Sequence, residues 1–293
     1  MAETLAQIMV PAAFAVAVWW FGTGLVLLAV GLPPRARPWV LLGATAALGA
    51  ALATLAISSA DASATGAYVA FAATVAAWGW AETCFLLGAL TGPRPLACPE
   101  GCTGWRRAGH ALNAILYHEL SLLAAGAAVV AATWGAANQV GAWTFAVLWT
   151  MRLSAKLNLF LGVPVLNDEF LPAQLGFLRS YFARRPVSLL FPLSITVPTA
   201  VAALLAQAAL APGAGAQSTG LLLVAALLAL AVVEHWFMLL PLPLTSLWGW
   251  SMRSRAEPAT AGGRPAGAAR GARAAPLSPV TVPAAIMTHR RHP

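Results

Sequence analysis

Seven stretches of about twenty mainly apolar residues follow one another almost without pause up to about residue 250, which decides what this chain can become. A helix must satisfy every backbone N–H and C=O internally before it can cross hydrocarbon, and about twenty residues span that layer. The stretches fall at about 8–30, 39–57, 67–90, 112–134, 139–162, 188–210 and 219–240. The expected fold is therefore all-α, a polytopic membrane protein of about seven transmembrane helices. It comprises a helical domain over 1–250 and a tail over 251–293. With 60% hydrophobic and only 9% charged residues, a soluble enzyme, a disordered scaffold and a disulfide-rich secreted domain are excluded. The first stretch does not read as a cleavable signal: Glu3 precedes it, no Lys or Arg does, and no small-residue cleavage site leads into a soluble domain.

The net charge of +8 is mostly local. Beyond Ser251 stand Arg253, Arg255, Arg264, Arg270, Arg273, Arg290 and Arg291 against Glu257 alone, in Ala, Gly and Pro with few large apolar residues. Such a segment buries too little surface to offset its ordering entropy, so it is expected to be disordered, basic and close to anionic lipid headgroups. It gives no reason to expect nucleic-acid binding. Apart from Arg152 and Lys156, the remaining basic residues sit in the loops after the first, third and fifth stretches: Arg35 and Arg37; Arg94, Arg106 and Arg107; Arg179, Arg184 and Arg185. The alternate loops carry none. By the positive-inside rule the N-terminus is outside and the C-terminus cytoplasmic. Trp39, Trp105, Trp134, Trp143, Trp248 and Trp250 fall near span ends, where amphipathic rings belong, whereas Trp19, Trp20, Trp78, Trp80, Trp149 and Trp236 fall within spans.

Ionisable groups inside spans are costly and default to functional candidates. This chain holds Glu82, His118, Glu119, Arg152, Lys156, Glu234 and His235 there. With the expected orientation they lie about 5–10 residues from the cytoplasmic ends, or roughly 8–15 Å, so four helices place charge at one depth. Arg152 and Lys156 are four apart and share a face; Ser154 and Asn158 share a roughly opposite one. An economical arrangement pairs Arg152 and Lys156 with two of the three glutamates, leaving one carboxylate and two imidazoles facing a common cavity. Such a cluster is compatible with an interhelical lock, with a pigment site, with a carboxylate–histidine metal centre, or with proton or ion translocation. The pigment site would have His118 or His235 as axial ligand and Trp78, Trp80 and Trp236 as a stacking wall. Neither Glu-x-x-His nor His-x-x-x-His occurs, the spacings that put two metal ligands on one helix face. Cys98 and Cys102 lie in a loop expected to be cytoplasmic and reducing, so no disulfide is expected. With His110 they fit no standard zinc spacing, and Cys84 reads as packing.

The run from Met151 to Pro172 is the least generic in the chain. Gly162 and Pro164 end a helix, and Asn167 is placed to cap a short turn with Asp168 and Glu169 behind it. Phe170 to Tyr181 then forms an amphipathic segment ending at Arg184 and Arg185, expected to lie at the headgroups or to dock a membrane partner.

This run, with Trp78-Gly-Trp-Ala-Glu-Thr83, Leu116-Tyr-His-Glu-Leu120, Asn138-Gln-Val-Gly141 and Val233-Glu-His-Trp-Phe237, resembles the PuhE family of purple phototrophic bacteria over about residues 1–250. The basic tail does not share the resemblance. What the resemblance implies is a multi-pass protein of the bacterial cytoplasmic (intracytoplasmic) membrane that assists assembly of photosynthetic complexes. Its partners would then be reaction-centre or light-harvesting subunits and pigment-synthesis proteins, with bacteriochlorophyll or a precursor as the implied ligand. It supplies no catalytic residues. The positions in its distinctive runs are Glu82, His118, Glu119, Arg152, Lys156, Asn158, Asp168, Glu169, Glu234 and His235. The competing reading is a membrane metalloenzyme of tetrapyrrole metabolism built on the same carboxylates and histidines.

Overall fold

The computed structural model describes residues 2–252; the tail expected to be disordered, from Arg253 onward, lies outside the described residues. Seven long helices carry the chain: α1 (Ala2–Gly31), α2 (Arg37–Ser58), α3 (Ala64–Leu86), α4 (Gly104–Thr133), α5 (Val140–Leu161), α6 (Leu190–Leu210) and α7 (Gln217–Trp236). A four-residue helix, α8 (Gly249–Met252), follows a 3-10 turn at Leu244–Trp248. Six of the long helices are long and apolar enough to cross a membrane. The other, α5, has 22 residues but carries Arg152 and Lys156, which reduce its apolarity. The protein is all-α and multi-pass.

Helix ends differ from the expected ones where apolar sequence continues through a turn. Helix α3 stops at Leu86 because Gly88 takes a positive φ of 78°, which a side chain would resist. Helix α7 ends at Trp236, and Met238–Leu240 continue as turns although they are as apolar as the helix. Helix α4 begins at Gly104, earlier than hydropathy indicates, and so includes Arg106, Arg107 and His110. At the opposite end of the bundle Ser63 caps α3 by accepting from the Gly66 N–H at 3.2 Å. The hydroxyl and amide of the same serine hydrogen-bond Asp61 and hold its carboxyl below the usual range.

Helix α3 is the centre of the bundle and packs against α1, α2, α4, α5 and α7. Its Ala, Gly and Thr residues permit this, since small side chains let membrane helices approach closely. On one side Ala77 and Ala81 meet Leu55 of α2, Leu122 and Val129 of α4, and Phe145 of α5. On another, Phe71 meets Ala15 of α1 and Leu223 and Leu227 of α7. Helix α6 leans on α7 and barely touches α5.

Two expectations about the connecting segments need correction. Trp39, Trp105, Trp134 and Trp143 are exposed near helix ends, as amphipathic belt residues should be. Trp248 and Trp250 instead fold back onto α1. The Trp248 indole donates to the Trp20 carbonyl at 3.1 Å, and the Trp20 indole donates to the Leu247 carbonyl at 3.0 Å. Trp250 lies over Gly24, where any Cβ would collide with its ring. The segment Ala173–Tyr181 is a 3-10 helix and does not present its apolar side to headgroups. Leu175, Leu178 and Tyr181 are buried against Phe85 and Ala114, because the ends of α3 and α4 offer a protein surface that competes with lipid.

Candidate functional site

Helix α5 joins the polar residues of four neighbouring helices through two faces. On one, Arg152 Nη2 donates to Glu82 Oε2 of α3 at 3.0 Å, and Lys156 Nζ donates to Glu119 Oε1 of α4 at 2.6 Å. On the other, Ser154 Oγ lies 2.9 Å from His235 Nε2 of α7, and Asn158 Nδ2 donates to Ser194 Oγ of α6 at 2.9 Å. Four-residue spacing keeps each pair of α5 residues on one stripe. Asn158 also donates to the Ser154 carbonyl, and Ser194 donates to the Leu190 carbonyl, so this face forms a continuous neutral network.

The charged face continues three apolar stripes. On α3 the stripe Phe71, Val75, Trp78, Glu82 runs at helical spacing, as do Gly141, Phe145, Leu148, Arg152 on α5 and Leu223, Leu227, Leu230, Glu234 on α7. Each begins buried and apolar and ends in charge. The exposed fraction there reaches 12% for the Glu82 side chain and 42% for Arg152, and Glu234 is exposed. The close-packed core thus gives way at one level to polar side chains that are only partly covered by protein. Glu234 has no ion pair among the described residues. The Trp19 indole of α1 hydrogen-bonds it, and Arg152 and Glu82 lie within electrostatic range. Trp19 in turn meets the edge of Trp248, which meets Phe170, so the returning C-terminal segment and the loop after α5 close this end.

His118 is placed by an unusual contact. The loop after α3 lies against the backbone of α4: the His118 N–H donates to the Thr91 carbonyl at 3.0 Å, and the Arg94 N–H donates to the Asn113 carbonyl at 3.2 Å. Gly92 makes the approach possible, since a Cβ there would strike the Asn113 carbonyl and the backbone of Ala114 and Ile115. The His118 ring is fully buried and stacks on Phe85 with centroids 4.2 Å apart. Among the described residues neither ring nitrogen has a hydrogen-bond partner, and neither does Glu82 Oε1. Glu82, Lys156 and Arg152 all lie within electrostatic range of the ring.

The two imidazoles do not face a common cavity, which corrects the sequence expectation. His235 Nδ1 is 2.8 Å from the Ala231 carbonyl, an acceptor only, so Nδ1 carries the proton and Nε2 accepts from Ser154. Both nitrogens are committed on the neutral face of α5. The expected aromatic wall does not form either. Trp78 packs on Phe145 of α5, the Trp80 indole donates to Thr45 of α2, and Trp236 meets Phe191 of α6. Three tryptophans near one another in sequence or depth diverge because they occupy different helix faces. Among the described residues no group of three or more His, Cys, Asp or Glu is placed to hold a metal ion. Cys98 and Cys102, expected as free thiols, are paired, with Gly101 turning the chain between them at a φ of 70°. That removes them as partners for His110.

A bacteriochlorin needs a free donor atom with open space beside it. His118 offers the donor without the space, since Phe85 covers its ring; His235 offers neither. These side chains as placed do not accommodate the macrocycle.

The loop residues have separate roles. Asp168 pairs with Arg179 through Nε at 2.7 Å and accepts from Nη2 at its carbonyl, at 3.1 Å. Arg184 forms a bridge with Val163, and the Arg185 N–H donates to the Val163 carbonyl. Glu169 is exposed. Asn167 precedes the turn as expected, but its side chain donates to the Phe237 carbonyl at 3.0 Å and does not cap. Arg107, named in the sequence only as a loop cation, fastens the loop to α5. It donates to the carbonyls of Phe160 and Tyr181, with its guanidinium 4.1 Å over the Phe160 ring. Trp19, Phe85 and Ser194 were also missed. Only Ser194 carries a usable signal, a hydroxyl within an apolar helix.

A family described as a protein of unknown function, DUF3623, matches residues 5–259. An uncharacterized 30.4 kDa protein in the puhA 5' region of Rhodobacter capsulatus is 40% identical over 247 residues, covering 83% of this chain and 90% of that protein. No solved structure matches.

Proposed function

The chain belongs to the DUF3623 family, and on that premise we propose that it is an integral-membrane assembly factor for photosynthetic complexes. The observation that carries this reading is the near full-length similarity to a Rhodobacter capsulatus protein named for its place in the puhA 5' region. The runs shared with the PuhE family, which include most of the intramembrane polar residues, support the same reading. The protein resides in the bacterial cytoplasmic membrane and its intracytoplasmic extensions. Its N-terminus is outside, and its loops bearing Arg94, Arg106, Arg107, Arg179, Arg184 and Arg185 face the cytoplasm. Reaction-centre or light-harvesting subunits and pigment-synthesis proteins are its partners, with the loop of Asp168, Glu169, Arg184 and Arg185 as the surface offered to them.

The role is non-enzymatic. The pairs Glu82–Arg152 and Glu119–Lys156 and the link His235–Ser154 hold α3, α4 and α7 to α5 at one depth, so that the cytoplasmic ends present a fixed surface. Bacteriochlorophyll or a precursor stays outside this role as far as the histidines go: His118 has free nitrogens among the described residues but is covered by Phe85.

The test is removal of the gene from a phototrophic host, with the near-infrared absorption of assembled complexes as readout. Loss of those bands, restored by the intact gene, is expected; unchanged bands would overturn the proposal. Complementation by His118→Ala tests the exclusion of pigment. Full restoration, together with a purified protein free of pigment absorption, is expected; bands that stay lost would bring pigment handling back.

A further inference from the structure

We propose that the cavity between α5, α6 and α7 is a binding site for a single-chain amphiphile with an uncharged, hydrogen-bonding head. The cavity holds about 630 Å3 and lies at the end of the bundle remote from the charged level. That volume falls within the range of small-molecule sites. It exists because α6 leans on α7 and stands away from α5, with Pro198 in α6 at its wall.

Its chemistry selects the ligand. The walls are apolar, with Val147, Val201 and Leu221 facing the space, and no charged side chain lines it among the described residues. The cavity is a half-open groove, with Val197 and Val201 at its wall exposed, and an apolar groove of this size inside a membrane takes a hydrocarbon chain as its fitting content. One end is closed by Met151 and Leu228, which pack together with Ala231 and Val232 and separate the cavity from the His235–Ser154 pair. The head of a bound chain therefore lies at the other end. There Gln217 and Trp143 are exposed, and their side chains make no hydrogen bond among the described residues. An amide and an indole N–H at span-end depth match a hydroxyl or carbonyl head. A phosphate would meet no cation there, since the loops at this end carry no Lys or Arg. Thr150, also without a side-chain bond, supplies one further hydroxyl along the shaft. This inference does not rest on the assembly role and can stand or fall without it.

The experiment uses the full-length protein in nanodiscs of phosphatidylethanolamine and phosphatidylglycerol. Two probes carry the same chain-end diazirine: hexadecanol and a phosphatidylcholine. After irradiation, labelled peptides are mapped by mass spectrometry. At equal mole fraction the alcohol is expected to label the Val147 and Val201 regions about tenfold more than the phospholipid, equivalent to about 1.4 kcal/mol of preference. Ala146→Phe on α5 and, separately, Val201→Phe on α6 should each abolish that labelling; Val201 lies on an exposed face that tolerates a larger ring. Equal labelling by the phospholipid would make the cavity a seat for ordinary bilayer lipid and overturn the proposal. So would alcohol labelling spread evenly over the outer faces of α1 and α2, or labelling unchanged in both variants.

Discussion

The two faces of α5 meet the same requirement, polar side chains at one depth among helices, with opposite chemistry. Towards α3 and α4, Arg152 and Lys156 meet carboxylates and keep part of their own surface uncovered by protein. Towards α6 and α7, Ser154 and Asn158 meet an imidazole and a hydroxyl in a closed interface. Full charges carry a desolvation cost that pairing must offset, so each cation there meets a carboxylate. Neutral groups need only a partner each, and the bundle closes around them. The contrast also separates the histidines. His118 lies on the charged side with idle nitrogens, and His235 lies on the neutral side with both in use.

The comparison can be broken most forcefully at Lys156. Lys156→Ala leaves Glu119 unpaired where both partners are mostly buried, and should cost about 3 kcal/mol, read as a lower unfolding midpoint in detergent. Gly92→Ala pushes a methyl into the α4 backbone beside His118, at about 2 kcal/mol. Faster hydrogen exchange at the His118 amide would report the loop lifting away. Arg152→Ala should cost about 2 kcal/mol, less than Lys156→Ala because the 42% exposed guanidinium is the less buried of the two cations, although Glu82 loses its partner. Arg152→Lys should recover part of that in the same melt. Ser154→Ala should be mildest, at about 0.6 kcal/mol, the average for membrane interhelical hydrogen bonds. If Ser154→Ala proved costlier than Lys156→Ala, the division between the faces would be wrong.

Much of the fold was legible because hydrocarbon imposes so few choices: span length and the distribution of arginines sufficed for seven helices. The opposed faces of α5 were legible too, since spacing of four within a helix fixes direction. What spacing cannot supply is which neighbour a face meets. The tryptophans Trp78, Trp80 and Trp236 therefore looked like one wall and pack in three directions. The pairing of Ser154 with His235 needed the positions of α5 and α7, not the residues of either. Apolar turns such as Met238–Leu240 read as helix because hydropathy does not register φ and ψ. Trp248 and Trp250 looked interfacial because a returning segment and a span end have the same composition.

In the proposed function the ion pairs of α5 fix the bundle in the shape its partners require. Exchanging the charges of one pair tests this directly, with absorption of assembled photosynthetic complexes in a phototrophic host as readout. Glu119→Lys alone and Lys156→Glu alone should each lower the bands severely, and the double exchange should restore most of them. Single exchanges that leave the bands and the protein level unchanged would contradict the account.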